Sequence, residues 1–402
     1  MTHARATLLT MMKDEGPYLL EWLAHHRVLG FDRVVVLHND CTDGTDALLA
    51  RLQEMGEVTA IAHSVTPGKK PQPSALRLAE TLPEIQRTDW LLVADSDEFL
   101  DIGAGSGRIE DLLSAVPSDT QAIAATWRIM GSNGLTAWYP GPVCESYTRG
   151  APDDFRKGWG VKTLFRPFPQ MKLGIHRPTV KGAARDPDRR AQLESQNWVN
   201  GAGKPLTRRF KREAWQSSTH TVGYGLVEMK HFATRSTENF LLRAARGNVN
   251  DKAGKYDAAH FAVFDRNETA QAGLTNYSEQ VRERLADWLE DPILVQHHRR
   301  TVATHAARLE ALRSAPGFDD RLAELEAVRD TPLDRLDEVL HIQPLPREGR
   351  AQIERMLRDG FSARFIAESL ARDPRPAARV AAIDAEDAAE YAAMGLVPRG
   401  RA

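Results

Sequence analysis

The chain has 402 residues and a formal net charge of −2, so it lacks the basic excess of a nucleic-acid-binding protein. Apolar content of 42% and charged content of 27% are ordinary for a globular chain, and the length allows a large core and more than one structural unit. Cys41 and Cys144 are too few and too far apart for a zinc pattern or a disulfide framework, which fits a reducing, cytoplasmic setting.

The N-terminus runs straight into a strand without a signal-peptide apolar core, and no stretch approaches the ~18 apolar residues of a membrane span. Ala6 to Met12 reads as that strand. Pro17 to Leu29 reads as a helix, with Pro17 in its first turn, Leu19, Trp22, Leu23 and His26 on one face, and Gly30 as its cap. Arg33 to Leu37 is a β-branched strand, Thr45 to Met55 a helix and Glu57 to Ala62 a third strand. Pro73 to Gln86 reads as a helix, and Trp90 to Ala94 as a strand buried on both faces. This alternation predicts an α/β fold with a mostly parallel sheet flanked by helices.

Asp111 to Val116 then reads as a short helix, and Ala122 to Ile129 and Val161 to Phe165 as strands. Lys181 to Trp215 holds nine Lys or Arg against four Asp or Glu and reads as a basic surface loop or insertion. Glu238 to Arg246 is helical, and from Ser278 the chain is a helical C-terminal region broken at Pro316-Gly317. The division is an α/β unit over 1–250, a helical extension over 251–343, and an Ala-, Arg- and Asp-rich appendage over 344–402, helical or partly mobile.

Lys13-Asp14-Glu15-Gly16, Asn39-Asp40-Cys41-Thr42-Asp43-Gly44-Thr45 and Asp95-Ser96-Asp97-Glu98-Phe99 each follow a strand. In a parallel sheet such segments meet at one edge, where ligands of α/β sheets bind. Two carboxylates beside a buried strand are costly to hold uncompensated, and a hard divalent cation carrying phosphate oxygens would resolve that cost. Asp43-Gly44 reads as a turn entering a helix, and Gly103 to Gly107 as a flexible loop.

These segments, with Pro17-Tyr18-Leu19-Leu20-Glu21-Trp22 and Asp89-Trp90, resemble the family 2 type glycosyltransferases of the GT-A fold. The closest likeness is to a bacterial subgroup with a Lys-Asn-Glu opening and an Asp-x-Asp-Glu-Phe metal motif. It covers residues 6 to 102 well and continues more weakly to about 250. The resemblance implies transfer of a sugar from a nucleoside-diphosphate sugar to an acceptor hydroxyl, inverting and metal-dependent, with Mn²⁺ or Mg²⁺ as cofactor. It places Asp14, Glu15, Asn39 and Asp40 around the base and ribose, Asp97 on the metal, and Asp95 on ribose or metal. Asp14 stands where the family has Asn, and Asn39 where it commonly has an acidic residue.

His176 and His231 are candidates for a further metal or phosphate contact, each weighed against an ordinary hydrogen-bonded histidine. Arg235, Arg243 and Arg246 suit a departing diphosphate, because guanidinium forks fit phosphate oxygens. Glu145, Asp153 and Asp154 are the candidates for the general base, and spacing does not choose among them.

The acceptor expected is a glycan or lipid-linked glycoconjugate of cell-surface synthesis, with no nucleic acid as partner. The location expected is cytoplasmic, with the basic segment able to meet the inner membrane surface if it is not merely solvated. A sugar nucleotidyltransferase, or a non-catalytic glycan- or nucleotide-binding module of the same fold, are the competing readings.

Overall fold

The computed structural model describes residues 4–66, 68–183, 185–246, 256–336, 356–358, 360 and 375–396. Strands β1 (Ala6–Met12), β2 (Arg33–His38), β3 (Thr59–Ala62) and β4 (Trp90–Val93) pair in parallel in the spatial order β3-β2-β1-β4. Beyond β4 the sheet continues through the antiparallel strand Val161–Phe165 to a long strand, Ala122–Ile129. That strand pairs in parallel with Trp198–Asn200 along its first half and with Val227–His231 along its second. Glu98–Ile102 lies antiparallel on Val227–His231 at the edge. The fold is therefore mixed α/β, with a mostly parallel sheet.

Alternate side chains of the central strands feed two apolar layers, as the pleat requires. Leu8, Val34, Val36 and Leu92 pack with Trp22 and Leu23 of helix α1 (Gly16–Leu29). Leu9, Val35, Leu37, Leu91 and Val93 pack with Ala75, Leu76 and Phe210 on the other face. Helix Pro292–Arg313 crosses the start of α1 so closely that a Cβ on Gly16 would lie 2.4 Å from Thr301 Cγ2. Only glycine fits there.

Two histidines of α1 are fully buried. His25 Nε2 donates to Leu100 O at 2.7 Å, and His26 Nδ1 donates to Trp22 O at 2.8 Å. Burial pushes His25 down to about 4 against its bond to Leu100, and burial with the neighbouring His25 takes His26 well below its usual value. Both rings are neutral in the fold, whereas the unfolded chain binds protons below pH ~6.5. Stability is therefore expected to be full above pH ~6.5 and to fall as the pH drops towards 4, by up to about 1.4 kcal/mol per pH unit for each ring. Denaturant midpoints at pH 5 and 7 measure this slope, and His25→Gln should flatten it.

Three expectations from the sequence are corrected. Pro73 to Gln86 is two helices, Pro71–Ala79 and Pro83–Gln86, because Pro83 cannot continue a helix begun before it. Lys181 to Trp215 is an ordered insertion, with helices Pro187–Glu194 and Arg208–Glu213 and a strand, Trp198–Asn200, inside the main sheet. Part of its charge is paired within the fold, Lys181 with Glu80, Arg208 with Glu390 and Arg209 with Asp387. Asp387, on helix Arg375–Ala393, is fully buried and accepts from Arg209 Nε at 2.9 Å, Thr207 Oγ1 at 2.7 Å and Ser218 Oγ at 2.6 Å.

Within the appendage, the helix Arg375–Ala393 packs on the rest of the fold through Asp384, Asp387 and Tyr391. Residues 251–255, 337–355, 359, 361–374 and 397–402 lie outside the described residues. The extension contains helices Ser278–Trp288, Pro292–Arg313 and Phe318–Arg329. Among the described residues no helix is long and apolar enough to cross a membrane.

Candidate active site

A cavity of about 350 Å³ opens where β1 and β4 end, lined by Lys13, Glu15, Asp95, Ser96, Asp97, Arg243 and Arg246. Its remaining lining is largely aromatic: Trp127, His176, Trp215, His231, Tyr256, His260 and Phe264. Side chains separated by more than two hundred residues in sequence meet here because the strands share one edge.

The charged part is a lattice of ion pairs. Arg243 Nη1 donates to Asp97 Oδ2 at 2.6 Å and to Ala233 O at 3.2 Å, while its Nε donates to Tyr256 OH at 3.1 Å. Burial alone would raise the Asp97 carboxyl, but Arg243, aided by His231 and Arg235, holds it well below the usual carboxylate range. Arg246 donates to Lys13 O at 2.9 Å, Asp14 O at 3.0 Å and Glu15 Oε1 at 3.1 Å. Glu15 thus orients one guanidinium at the cavity and a second behind it, since its Oε2 accepts from Arg235 Nη1 at 3.4 Å.

Beneath Asp95 lies Lys162, fully buried on strand Val161–Phe165. Its ammonium donates to Asp95 Oδ2 at 2.9 Å and Ile175 O at 3.0 Å, and sits 3.0 Å from Glu98 Oε2. Burial pushes Glu98 up to about 7 against the opposing pull of Lys162. Glu98 also accepts from the Asp95 backbone N–H at 2.7 Å, closing the turn that presents the two aspartates.

The aromatic part adjoins the charged part through His231, whose Nε2 is 3.7 Å from Asp97 Oδ2 and whose ring lies 4.6 Å from Trp127. From there the rings continue outward, His176 at 5.3 Å from Trp127 and Trp215 at 4.8 Å from His176. His176 Nδ1 donates to Val161 O at 3.2 Å, and burial, with the nearby Lys162, lowers its pKa to about 4. The ring is neutral at pH 7, and Nε2 is its lone-pair nitrogen.

No protein-family model matches this chain, and none of the curated proteins does. Among solved structures it is similar to S. aureus TarS 1–349, at 11% identity over 81% of this chain and 90% of that one, with a TM-score of 0.31. It is also similar to glucosyl-3-phosphoglycerate synthase from Mycobacterium tuberculosis in complex with Mn²⁺, uridine-diphosphate and glucosyl-3-phosphoglycerate. That match has 18% identity over 31% of this chain and 44% of that one, with a TM-score of 0.21. At such scores these likenesses carry no argument about chemistry. The site must speak for itself.

Of the residues singled out in the sequence, Glu15, Asp95, Asp97, His176, His231, Arg243 and Arg246 line the one cavity. Asp14 and Arg235 line a smaller cleft of about 30 Å³ that shares Glu15, Arg243 and Arg246 with it. Asp14 is occupied structurally, its Oδ1 accepting from Thr42 N at 2.7 Å and its Oδ2 lying 3.2 Å from Arg308 Nη1. Arg235 stacks 3.5 Å over the Tyr18 ring and is nearly buried. Both residues hold left-handed backbone, φ 55° and 52°, and such strain clusters at functional sites.

Asn39 and Asp40 lie past the end of β2 and bond to each other at 2.8 Å, outside both spaces. The base candidates do not reach the site either. Glu145 is exposed and 3.6 Å from Arg282, Asp153 is tied to Arg128 at 2.7 Å, and Asp154 is exposed. Glu145 lies on the short helix Val143–Ser146, and Asp153 and Asp154 lie past the strand Arg149–Gly150, in a stretch after Ile129 that the sequence alone does not place.

The metal expectation meets a donor set that does not fit it. Asp97 already holds Arg243, Asp95 already holds Lys162, and among the described residues no group of three or more His, Cys, Asp and Glu is arranged for a metal ion. A divalent cation at Asp97 would have to displace a guanidinium. Lys13, Gln72, Trp127, Lys162, Trp215, Tyr256 and Arg308 were not singled out from the sequence. Lys13 alone carried a local signal, standing directly before Asp14.

Proposed function

We propose that the cavity binds a nucleoside-diphosphate sugar and transfers its sugar to an acceptor hydroxyl, as a glycosyltransferase of cell-surface glycan synthesis. The observation that carries the reading is the pairing of Arg243 and Arg246 on one helix, Thr237–Arg246, both lining the cavity beside Asp97. Two guanidiniums with Lys13 offer the donors that suit a diphosphate, each guanidinium oriented by a carboxylate, Asp97 or Glu15. In the reaction the acceptor oxygen bonds to the anomeric carbon as the bond from that carbon to the phosphate oxygen breaks. The electron pair leaves with the diphosphate, whose developing charge these cations stabilise. His176, neutral and with Nε2 as its acceptor atom, is the wall residue that relays the proton to solvent, since a pKa lowered to about 4 does not retain it. These donors favour this reading over a module that binds glycan alone, which has no use for them.

The test is a thermal-shift and calorimetry panel of UDP, GDP, ADP and CDP, run in EDTA and again in MnCl₂. One nucleotide is expected to stabilise the protein in EDTA, by about 2.7 kcal/mol at a hundredfold excess over its Kd. Binding that needs Mn²⁺ would assign the diphosphate to a metal in place of Arg243. No binding in either buffer removes the nucleotide-sugar reading.

A further inference from the structure

Trp215 is among the few large apolar side chains left exposed, at 48%, and it stands on the cavity's lining. An exposed indole normally gains from being covered. Its backbone is fixed: Trp215 O accepts from Val161 N at 3.1 Å, and Gln216 bridges Gly160 in antiparallel fashion. Its ring stacks on His176, interplanar angle 29°, and that imidazole is itself held by Val161 O. Trp127 behind them is packed so tightly on the backbone that a Cβ at Gly160 would lie 2.2 Å from its Cε3. The three rings are thus positioned by strand geometry.

Two polar atoms on this wall, Trp127 Nε1 and His231 Nδ1, are buried and have no hydrogen-bond partner among the described residues. The polar side chains that line the cavity beside these rings, Asp97, Arg243 and Arg246, suit a ligand that brings its own hydroxyls. A ligand that offers a C–H face to aromatic rings and hydroxyls at its edge is a pyranose. The row of rings begins beside Asp97, where the diphosphate would lie, and ends at solvent. A donor sugar needs only the inner end of that row; a chain that continues into solvent needs the outer end.

We propose that Trp215, His176 and Trp127 form the acceptor platform, and that the acceptor is a glycan of at least two pyranose rings, one of them stacked on Trp215. This rests on the nucleotide-sugar reading above. The two are separated by measuring glycan binding independently of nucleotide binding. The probes are methyl glucoside, methyl galactoside, cellobiose, maltose, chitobiose and a broad glycan array, read by saturation-transfer NMR, with UDP and GDP titrated by calorimetry.

The wild-type protein is expected to bind at least one oligosaccharide more tightly than its monosaccharide, with the glycan retained when saturating nucleoside diphosphate is added. Trp215→Ala should weaken that glycan at least tenfold and leave nucleotide affinity within twofold, and Trp215→Phe should keep most of the binding. Absence of glycan binding by the wild type, unchanged binding by Trp215→Ala, or displacement of the glycan by the nucleotide-sugar would each overturn the platform. Failure of nucleotides to bind would instead strike the donor reading, whatever the glycans do.

Discussion

Replacing Arg243 by Met is expected to lower fold stability by about 3 kcal/mol and to weaken nucleoside-diphosphate binding by roughly a hundredfold. The stability loss arises at Asp97, which is 4% exposed and would keep only His231, at 3.7 Å, and the longer-range pull of Arg235. Removing one member of a buried pair usually costs about 3–5 kcal/mol, and the low end applies because the Arg243 side chain is 31% exposed. The binding loss arises from the missing guanidinium at the diphosphate.

Adding Asp97→Asn to the Met variant should restore a large part of the stability and none of the binding. Arg243→Lys should fall between, since one ammonium cannot reproduce the contacts to Asp97, Ala233 O and Tyr256 at once. Urea denaturation and calorimetry on the four proteins separate the two effects. If the double variant bound nucleotide as the wild type does, Arg243 would have only a structural role.

Lys162→Met is expected to cost about 3–5 kcal/mol, the largest single effect in the site's foundation. Lys162 and Glu98 are both wholly buried, so the substitution strands one carboxylate in the core and frees a second, Asp95, at the cavity. The cost is limited by protonation. Glu98 already titrates near 7, and without the ammonium its folded pKa rises further above the unfolded value. A carboxyl with a raised folded pKa contributes less stability as the pH climbs from the unfolded value through the folded one. The variant should therefore be more severely destabilised at pH 8.5 than at pH 6, and Glu98→Gln in the same background should remove that dependence. Denaturant midpoints at the two pH values decide it; a loss independent of pH would mean that Glu98 is not the stranded group.

The first hundred residues were legible because each strand is a short apolar run and each helix has its own start and stop. Leu91 to Val93 could be read as buried from three residues. The Asp95-Ser96-Asp97 pair was legible for the same reason, sitting directly after such a run. What surrounds it was not. Lys162 stands between Val161 and Thr163, where a lone lysine reads as solvent-facing; only the approach of Asp95 and Glu98, more than sixty residues earlier in the chain, makes it an interior cation. The partner of Asp97 was hidden in the same way, since carboxylates needing a cation were visible but the Arg243 guanidinium, on a helix some 146 residues later, was not. The basic segment misled in a parallel way: three of its counter-charges, Glu386, Asp387 and Glu390, belong to the last described helix.

That last helix has a consequence for how the protein is made. Asp384 holds Arg156 at 2.7 Å and Asp387 holds Arg209 and Ser218, residues that flank Trp159 and Trp215 on the two segments bridged at Gly160 and Gln216. On the ribosome the parallel strands and the aspartate pair emerge early, yet Arg209 stays without its buried counter-ion until residue 387 has left the exit tunnel. The ion-paired side of the cavity can form before residue 387 emerges, whereas its aromatic rim is secured only afterwards. A nascent chain arrested before that point would hold the cavity with an unfinished mouth.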